Sequence, residues 1–235
     1  MSRTPYRALI GSLMYLAVGT RPDISYAVGR LSSFLDYYRP EHWEAAIRVV
    51  RYLKGTRLLR LTIGGPNPIE LRGFSDSDYA NCIDTSRSVG GYVFTLGSGV
   101  LSWSSRKQRT VANSSCYAEY IALHEASHEA VFLRQLLESL HILPTSATPL
   151  FCDNEAASIL AGDHVWHSRV KHIRVKYHYV RELVEDDEIS ISRIRLADNL
   201  ADILTKPLGR VDFLRLRHGL GLTGIEDPSP REEEC

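Results

Sequence analysis

A change in hydrophobic period at residues 64–68 constrains the fold of this chain most strongly. Before this segment apolar residues recur at helical spacing, and after it they alternate with the period of two that strands show. The segment itself, Gly64-Gly65-Pro66-Asn67-Pro68, has the composition of a linker. We therefore predict a helical region over residues 1–63, a linker over 64–68 and a mixed α/β domain over 69–210.

The first region is predicted to be a small helical bundle with an arginine-rich outside. Apolar faces run over Tyr6–Val18 and Ile24–Tyr38, and a third face reaches Gly55. Pro22 and Pro40 separate the helices, since proline fits the first positions of a helix.

The second region alternates strands with helices. The predicted strands are Ile69–Ser77, Gly90–Leu96, Val100–Ser104, Pro149–Cys152 and Glu188–Ile194. The predicted helices are Tyr117–Leu140, Glu155–Leu160, residues 170–184 and Ala201–Leu204. The order β-β-β-α-β-α-α-β-α predicts an α/β fold with a mixed five-stranded sheet and flanking helices. Residues 211–235 are predicted to be a tail that is disordered at its end.

Composition and charge narrow the functional class. No apolar run is long enough to cross a bilayer, and the first residues lack the apolar segment of a secretory signal. The four cysteines show no Cys-x-x-Cys spacing, so we expect reduced thiols in an intracellular protein. The formal net charge is zero, yet residues 1–65 and 164–178 are rich in Arg and Lys. Such separated basic surfaces suit a polyanion, although solvated helix faces produce similar counts.

Four carboxylates are candidates for one site. Asp76 ends the first predicted strand, and Asp153 follows the fourth strand in the same way. Glu119 lies in the first turn of the long helix, on the same face as its alanines, and Asp202 lies near the start of the last helix. Taken singly, each acid is also compatible with a strand cap or a solvated helix start. Together they would repel one another unless a divalent cation held them, and carboxylate oxygens suit Mg²⁺ or Mn²⁺.

The motifs around these acids resemble a known family. They are Phe74-Ser75-Asp76, Ala118-Glu119-Tyr120, Cys152-Asp153-Asn154 and Ala201-Asp202-Ile203-Leu204-Thr205-Lys206. Their order, Asp–Glu–Asp–Asp on this succession of strands and helices, resembles type 1 ribonuclease H. The amino-acid sequence of residues 5–210, including the motif Arg21-Pro22-Asp23-Ile24, resembles the end of the Pol polyprotein of copia-type LTR retrotransposons.

The resemblance implies a function for each region. The first would be the thumb or connection region of a reverse transcriptase, and the second a ribonuclease H domain that hydrolyses the RNA strand of RNA–DNA hybrids. Two Mg²⁺ or Mn²⁺ ions are implied, with Asp76 on both, Glu119 and Asp153 on one and Asp202 on the other. The implied partners are the hybrid and the palm and fingers of the same polyprotein, in a cytoplasmic retroelement particle or the nucleus. The chain carries no Tyr-x-Asp-Asp motif and no integrase zinc motif, so no polymerase activity is expected.

The resemblance also implies a set of nucleic-acid contacts. They are Ser114, Ser115, Arg106, Lys107, Arg169, Lys171, Arg174 and Lys176. The serines would reach RNA hydroxyls in the minor groove, and the cations would hold phosphates. The stretch before the last acid lacks the histidine of cellular ribonucleases H. Asp78 lies close to Asp76 in the sequence, and Asp198 lies close to Asp202, so each is an alternative candidate for the same catalytic position.

The sequence leaves three alternatives to the ribonuclease H interpretation. His124-Glu125-Ala126-Ser127-His128 matches the His-Glu-x-x-His pattern of zinc proteases, but its histidines are expected on the outside of the helix. A DDE-type nuclease would need its helical acid after the second strand-end Asp, whereas Glu119 precedes it. A catalytically inactive ribonuclease H-like binding module, from a decayed or host-adopted element, would keep the fold without cutting.

Overall fold

The computed structural model describes residues 5–65, 69–80, 86–142, 146–152 and 171–224. The predicted helix Glu155–Leu160 lies outside the described residues. Within these ranges no helix combines the length and hydropathy that a membrane crossing requires.

The first region forms the predicted helical bundle. Its elements are α1 (Tyr6–Gly19), a 3₁₀ turn (Pro22–Ile24), α2 (Ser25–Ser32) and α3 (Pro40–Gly55). Its core consists of Tyr6, Ile10, Leu13, Ala17, Ile24, Val28, Leu31 and Ala46.

The second helix of the bundle is shorter than predicted, since it ends at Ser32 and not at Tyr38. The Ser32 hydroxyl donates to the Gly29 carbonyl at 2.7 Å, and such side-chain bonds compete with helical ones. Tyr38 then leaves the helical path and stacks on Tyr6, with ring centroids 4.6 Å apart.

The second region contains the predicted mixed five-stranded sheet, which is confirmed. Its strands are β2 (Leu71–Asp78), β3 (Val89–Leu96), β4 (Gly99–Lys107), β5 (Thr148–Cys152) and β6 (Ile189–Arg193). Their spatial order is β4-β3-β2-β5-β6, antiparallel from β4 to β2 and parallel from β2 to β6. This order places the end of β2 next to the end of β5, so an acid on each would lie at one edge.

Helices cover both faces of the sheet. α4 (Ser115–Ser139) packs on β2, β3 and β5, and α5 (Lys171–Glu185) packs on α4. The opposite face carries α6 (Asp202–Thr205) and α7 (Arg210–Gly219). A Cβ at position 73 would lie 2.2 Å from Leu150 and 2.6 Å from Phe94, so only glycine fits at this point of β2.

The C-terminal segment is folded further than predicted. Residues 211–235 were expected to form a tail, yet α7 begins at Arg210 and β7 (Leu222–Thr223) pairs with β1 (Arg60–Leu61). Leu216, Leu220 and Leu222 are buried there. A two-residue strand has no detectable period, and its pairing partner lies about 160 positions earlier in the chain, so sequence patterns could not reveal it.

The two regions are in direct contact. Trp103 Nε1 of β4 donates to the Ala17 carbonyl of α1 at 2.9 Å, and Arg217 of α7 donates to the Tyr52 hydroxyl at 3.4 Å. Gly64, the first residue of the predicted linker, bonds with Leu96 and Ser98 at the β3–β4 hairpin. The bundle is therefore attached to the sheet on the face that carries α6 and α7.

Candidate active site

Asp76 is buried near the end of β2, with 3% of its surface exposed. The Thr205 hydroxyl of α6 donates to its Oδ2 atom, and Lys206 Nζ lies 3.8 Å from the same oxygen. A carboxylate this deep is stable only when donors or cations compensate it. Both compensating groups come from the segment that carries Asp202.

Asp202 is the first residue of α6 and is 5% exposed. Lys206 lies one helical turn later, with Nζ 2.9 Å from Asp202 Oδ2. The other oxygen, Oδ1, is buried and has no hydrogen-bond partner among the described residues. The structure thus brings Asp76 and Asp202 to one ammonium and leaves one carboxylate oxygen unsatisfied.

Two features of the sequence bring α6 against the sheet. Asn199 Nδ2 donates to the Ser75 carbonyl at 3.0 Å, and its Oδ1 accepts from the Ala201 amide at 3.1 Å. Gly91 lies opposite Asp76 in the register, and a Cβ there would come within 3.0 Å of Thr205. The glycine therefore lets α6 approach closely enough for Thr205 to reach Asp76.

Glu119 approaches the same end of β2 from α4 on the other face of the sheet. Its Oε1 accepts from the Ser77 amide at 3.2 Å and from the Ser77 hydroxyl at 3.1 Å. The predicted stripe is confirmed, because Ala122 and Ala126 are buried on the same side of the helix. The start of α4 is fixed by Ser114, whose Oγ accepts from the Tyr117 amide.

The charges at this end of the sheet are not balanced. Burial and the neighbouring charge of Asp76 raise the pKa of the Asp202 carboxyl to about 7, although Lys206 opposes the shift. Burial would lower the pKa of Lys206, but the charges of Asp76, Asp202 and Glu119 outweigh it and raise that pKa. Among the described residues, the charges of these three carboxylates all act on the ammonium of Lys206.

The competing acids lie in different surroundings. Asp198 is exposed and pairs with Arg195 at 2.9 Å. Asp78, the last residue of β2, is partly buried, and burial together with the Asp76 charge raises its pKa. Asp153 lies outside the described residues. Among the residues that are described, no group of three or more His, Cys, Asp or Glu side chains is arranged to hold a metal.

Several predicted phosphate contacts surround one cavity. It has a volume of about 340 Å³ and lies between the ends of β3 and β4 and helix α4. Arg106, Lys107 and Lys176 line it together with Arg109, which the sequence analysis missed although it follows the two predicted cations closely. Arg169 lies outside the described residues. Lys171 and Arg174 lie in the first turn of helix α5, and Ser115 is exposed at the start of α4.

The histidines of the His-Glu-x-x-His pattern form an aromatic cluster. His128 stacks on Tyr179 of α5 with centroids 4.2 Å apart, and His124 contacts both rings. Burial, with smaller contributions from His128 and Lys176, lowers the pKa of His124 to about 4. The described part of the chain offers these two histidines no third metal ligand.

Sequence reasoning missed the residues that position the acids. Ser77, Asn199, Thr205 and Lys206 belong to this set. Thr205 and Lys206 follow Asp202 at the i+3 and i+4 spacing that places side chains on one face of a helix, a signal that was available. The contacts of Ser77 and Asn199 join distant segments, and no local pattern indicates them.

Comparison with known proteins places the chain in a family. No family model matches it. It is 41% identical over 222 residues to the retrovirus-related Pol polyprotein from transposon TNT 1-94 of Nicotiana tabacum, covering 94% of this chain and 17% of that protein. The polyprotein from transposon RE1 of Arabidopsis thaliana is also 41% identical over 222 residues, covering 94% of this chain and 15% of the relative. The chain thus spans about a sixth of these relatives.

A solved structure supports the fold. The foamy viral protease-reverse transcriptase, determined in complex with dsDNA, is 10% identical with a TM-score of 0.51. The match covers 81% of this chain and 38% of that one. At this identity the likeness concerns the fold alone. From the Pol relatives, the sheet order and this likeness, we conclude that the chain belongs to the copia-type retrotransposon Pol polyproteins and contains their ribonuclease H-like domain.

Proposed function

We propose that this chain is a metal-dependent endonuclease that hydrolyses the RNA strand of RNA–DNA hybrids, as part of a retrotransposon reverse transcriptase. The observation that carries the proposal is the pair of buried carboxylates, Asp76 and Asp202, that share a single ammonium. Membership in the Pol family supports it. The palm and fingers of the polyprotein are proposed partners, and a cytoplasmic retroelement particle or the nucleus is the proposed location.

The chemistry of the donors suits a divalent cation, although the described carboxylates do not converge on one point. All the donors are hard carboxylate oxygens, and Asp202 Oδ1 is buried without a partner among the described residues. A second positive charge would relieve the repulsion that raises the pKa of Asp202. Asp76, Glu119 and Asp202 would hold Mg²⁺ or Mn²⁺, with Asp153 as the fourth proposed ligand. Two bound ions would supply an activated water and stabilise the leaving 3′-oxygen.

The chain's own residues keep the ligand oxygens in place before substrate binds. Thr205 fixes Asp76 by a hydrogen bond, and Ser77 fixes Glu119 by two. Lys206 compensates part of the negative charge, so that the carboxylates stay together in the folded protein. Preorganised ligands of this kind need no rearrangement at the moment of reaction.

Basic side chains next to the carboxylates would position the hybrid. Arg106, Lys107 and Lys176 surround the 340 Å³ cavity and are proposed to hold backbone phosphates. The Ser114 oxygen accepts from the Tyr117 amide, which leaves its own proton for donation to an RNA hydroxyl. Ser115, Arg169, Lys171 and Arg174 remain predicted contacts.

The test is cleavage of a hybrid labelled on each strand, with Mg²⁺ or Mn²⁺. We expect cutting of the RNA strand alone, and a loss of about a thousandfold or more in Asp76→Asn, equivalent to about 4 kcal/mol in the barrier. Asp198→Asn is the matched control, because Asp198 is exposed and paired with Arg195. A zinc-specific chelator should have no effect. Activity that required zinc, or that survived in Asp76→Asn, would contradict the proposal.

One observation favours a second candidate, an inactive hybrid-binding module. Lys206 Nζ lies 2.9 Å from Asp202 and 3.8 Å from Asp76, so an ammonium already occupies the space that a cation would share. This module would bind the hybrid and leave it uncut with either metal, even when the full Pol polyprotein is supplied. Cutting by the full polyprotein alone would instead show that the nuclease needs the palm and fingers.

A further inference from the structure

A second cleft lies between the helical bundle and the sheet. It has a volume of about 600 Å³, and its walls are α1 and α2 on one side and the edge strand β4 on the other. We call it the inter-region cleft. Its polar lining consists of Ser25, Tyr26, Arg30, Ser32, Ser33, Ser104, Ser105, Arg106 and Lys107. Because Trp103 of β4 bonds to Ala17 of α1, the two walls are held together by direct contact.

The sheet register places this cleft beside the carboxylates. Asp76, Gly91 and Ser105 lie in one row across β2, β3 and β4, and Asp78 and Lys107 lie in one row two residues further along the strands. Neighbouring strands are about 4.8 Å apart, so residues two strands away in one row are separated by about 10 Å. The cleft therefore opens at the end of the sheet where Asp76 lies.

Arg30 of α2 connects the bundle to this end of the sheet. It lines the inter-region cleft, and its positive charge is near enough to Asp78 to oppose the rise in the pKa of that carboxyl, which burial and Asp76 cause. Gly29, the preceding residue, lies against the backbone of Ser105. A Cβ at position 29 would lie 3.9 Å from the Ser105 carbonyl oxygen, so α2 packs against β4 at this point and Arg30 is placed at the cleft.

The lining of the cleft carries a net positive charge. No acidic side chain is among its lining residues, and Arg30, Arg106 and Lys107 form no salt bridge within the described ranges. Elsewhere in the bundle, Arg7 and Arg21 pair with carboxylates. The Ser25, Ser32 and Ser105 hydroxyls donate to backbone carbonyls, so the three cations are the groups that match the chemistry of phosphodiesters.

We propose that the inter-region cleft binds the phosphate backbone of a nucleic-acid strand of the hybrid, beyond the catalytic carboxylates, and that Arg30 is its main contact from the bundle. This inference rests on the proposed function and deepens it. The first region is then part of the substrate site, and not only a connection to the polymerase. The occupant is a nucleic-acid backbone because three cations meet at the cleft and no acidic side chain is among its lining residues.

The test is hybrid binding in the absence of divalent metal, measured by fluorescence anisotropy over a range of salt. We expect Arg30→Gln to weaken binding by about fivefold and to lower the slope of log K against log salt by about one, as loss of one phosphate contact does. Lys107→Gln should do the same. Arg48→Gln is the matched control, because Arg48 is exposed on α3, outside the cleft, and loses the same charge.

The outcomes separate this inference from the proposed function. Equal binding by Arg30→Gln and Arg48→Gln would overturn the inference, even if the wild-type protein cuts RNA. The cleft would then not be a binding site for nucleic acid. Weakened binding by Arg30→Gln alone would uphold it, even if no cutting is seen. Thermal unfolding of each variant excludes misfolding, and Arg30→Lys, which keeps the charge, should restore most of the binding and the slope. Should Arg30→Gln fail to fold, Ser33→Asp takes its place, because it adds a negative charge to the cleft and lies outside the 340 Å³ cavity, and binding equal to that of Arg48→Gln would overturn the inference.

Discussion

The helical bundle and the end of the sheet both bury charged side chains, but they compensate them differently. In the bundle, Arg21 Nε and Nη2 donate to the two oxygens of Asp23 at 2.9 and 2.8 Å, and the Tyr52 hydroxyl donates to Asp23 at 2.6 Å. Burial and the Asp23 charge raise the pKa of Tyr52 to about 12, which keeps its hydroxyl protonated as a donor. We call these three residues the bundle cluster.

At the end of the sheet, Asp76, Glu119 and Asp202 depend on Lys206, and we call these four the strand-end cluster. Its negative charges exceed its positive one, and Asp202 Oδ1 has no hydrogen-bond partner in the ranges described. The comparison teaches that buried charge has two uses. A balanced pair, joined to Tyr52, fixes the 3₁₀ turn against α3, whereas an unbalanced group is prepared for a ligand that brings positive charge.

Breaking the bundle cluster should have the largest effect on stability. Arg21→Met leaves Asp23, whose side chain is fully buried, without its cation. We expect the free energy of unfolding to fall by about 3–5 kcal/mol, because an unpaired buried carboxylate keeps its full desolvation cost. Urea unfolding followed by circular dichroism measures the loss.

The double variant Arg21→Met/Asp23→Leu checks the reason for that loss. Removing both charges should restore most of the stability, since apolar residues of similar volume replace buried pairs at little cost. Arg48→Met, on the exposed side of α3, should change stability little. If the double variant were as unstable as Arg21→Met, the pairing account of the bundle cluster would be wrong.

The strand-end cluster should make the metal-free protein less stable as pH rises. Asp202 has its pKa raised from 3.8 to about 7, so the folded state holds a proton that the unfolded chain has lost between these values. Stability therefore falls with rising pH through this window, by roughly 1–3 kcal/mol. Thermal unfolding across the window should show the fall in the wild type and a flatter profile in Asp202→Asn. Mg²⁺ should flatten the wild-type profile too, and an unchanged slope in Asp202→Asn would contradict this assignment.

Removing the ammonium of Lys206 should lower the free energy of unfolding by a smaller amount. Lys206→Met leaves Asp76 and Asp202 without their shared cation, and we expect a loss of about 1–2 kcal/mol near neutral pH, limited because Asp202 can take up a proton. Added Mg²⁺ should raise the melting temperature of this variant more than that of the wild type. Equal stabilisation of both proteins would show that Lys206 does not share the space of a bound cation.

The smallest effect is expected from the His124 and His128 pair. These rings pack on Tyr179 outside both clusters, so His124→Ala and His128→Ala should leave RNA cleavage within about twofold of the wild type. Rates measured with and without a zinc chelator provide the readout. A large loss in either variant would revive the zinc alternative.

The sequence by itself determined the order of the elements and the position of most of them. The strand pattern of the sequence places β2 and β3 to within two residues of their observed bounds, although β2 is the central strand and is buried at six of its eight positions. The buried face of α4, with Glu119 on it, follows in the same way from the helical period. Asp76 is a candidate because a carboxylate at the end of a central strand conflicts with burial, and the motifs of the family resemblance favour Asp76 over Asp78 and Asp202 over Asp198.

The tertiary structure alone decided which groups compensate these acids and where the nucleic acid can bind. Thr205, Ser77 and Asn199 act across separations of 129, 42 and 124 residues, and Arg30 meets β4 only because the bundle packs on the sheet. The pairing of β7 with β1 likewise joins segments that are far apart in the chain. Local period and propensity depend on neighbours in the chain, whereas charge compensation depends on neighbours in space, and only the folded chain specifies those.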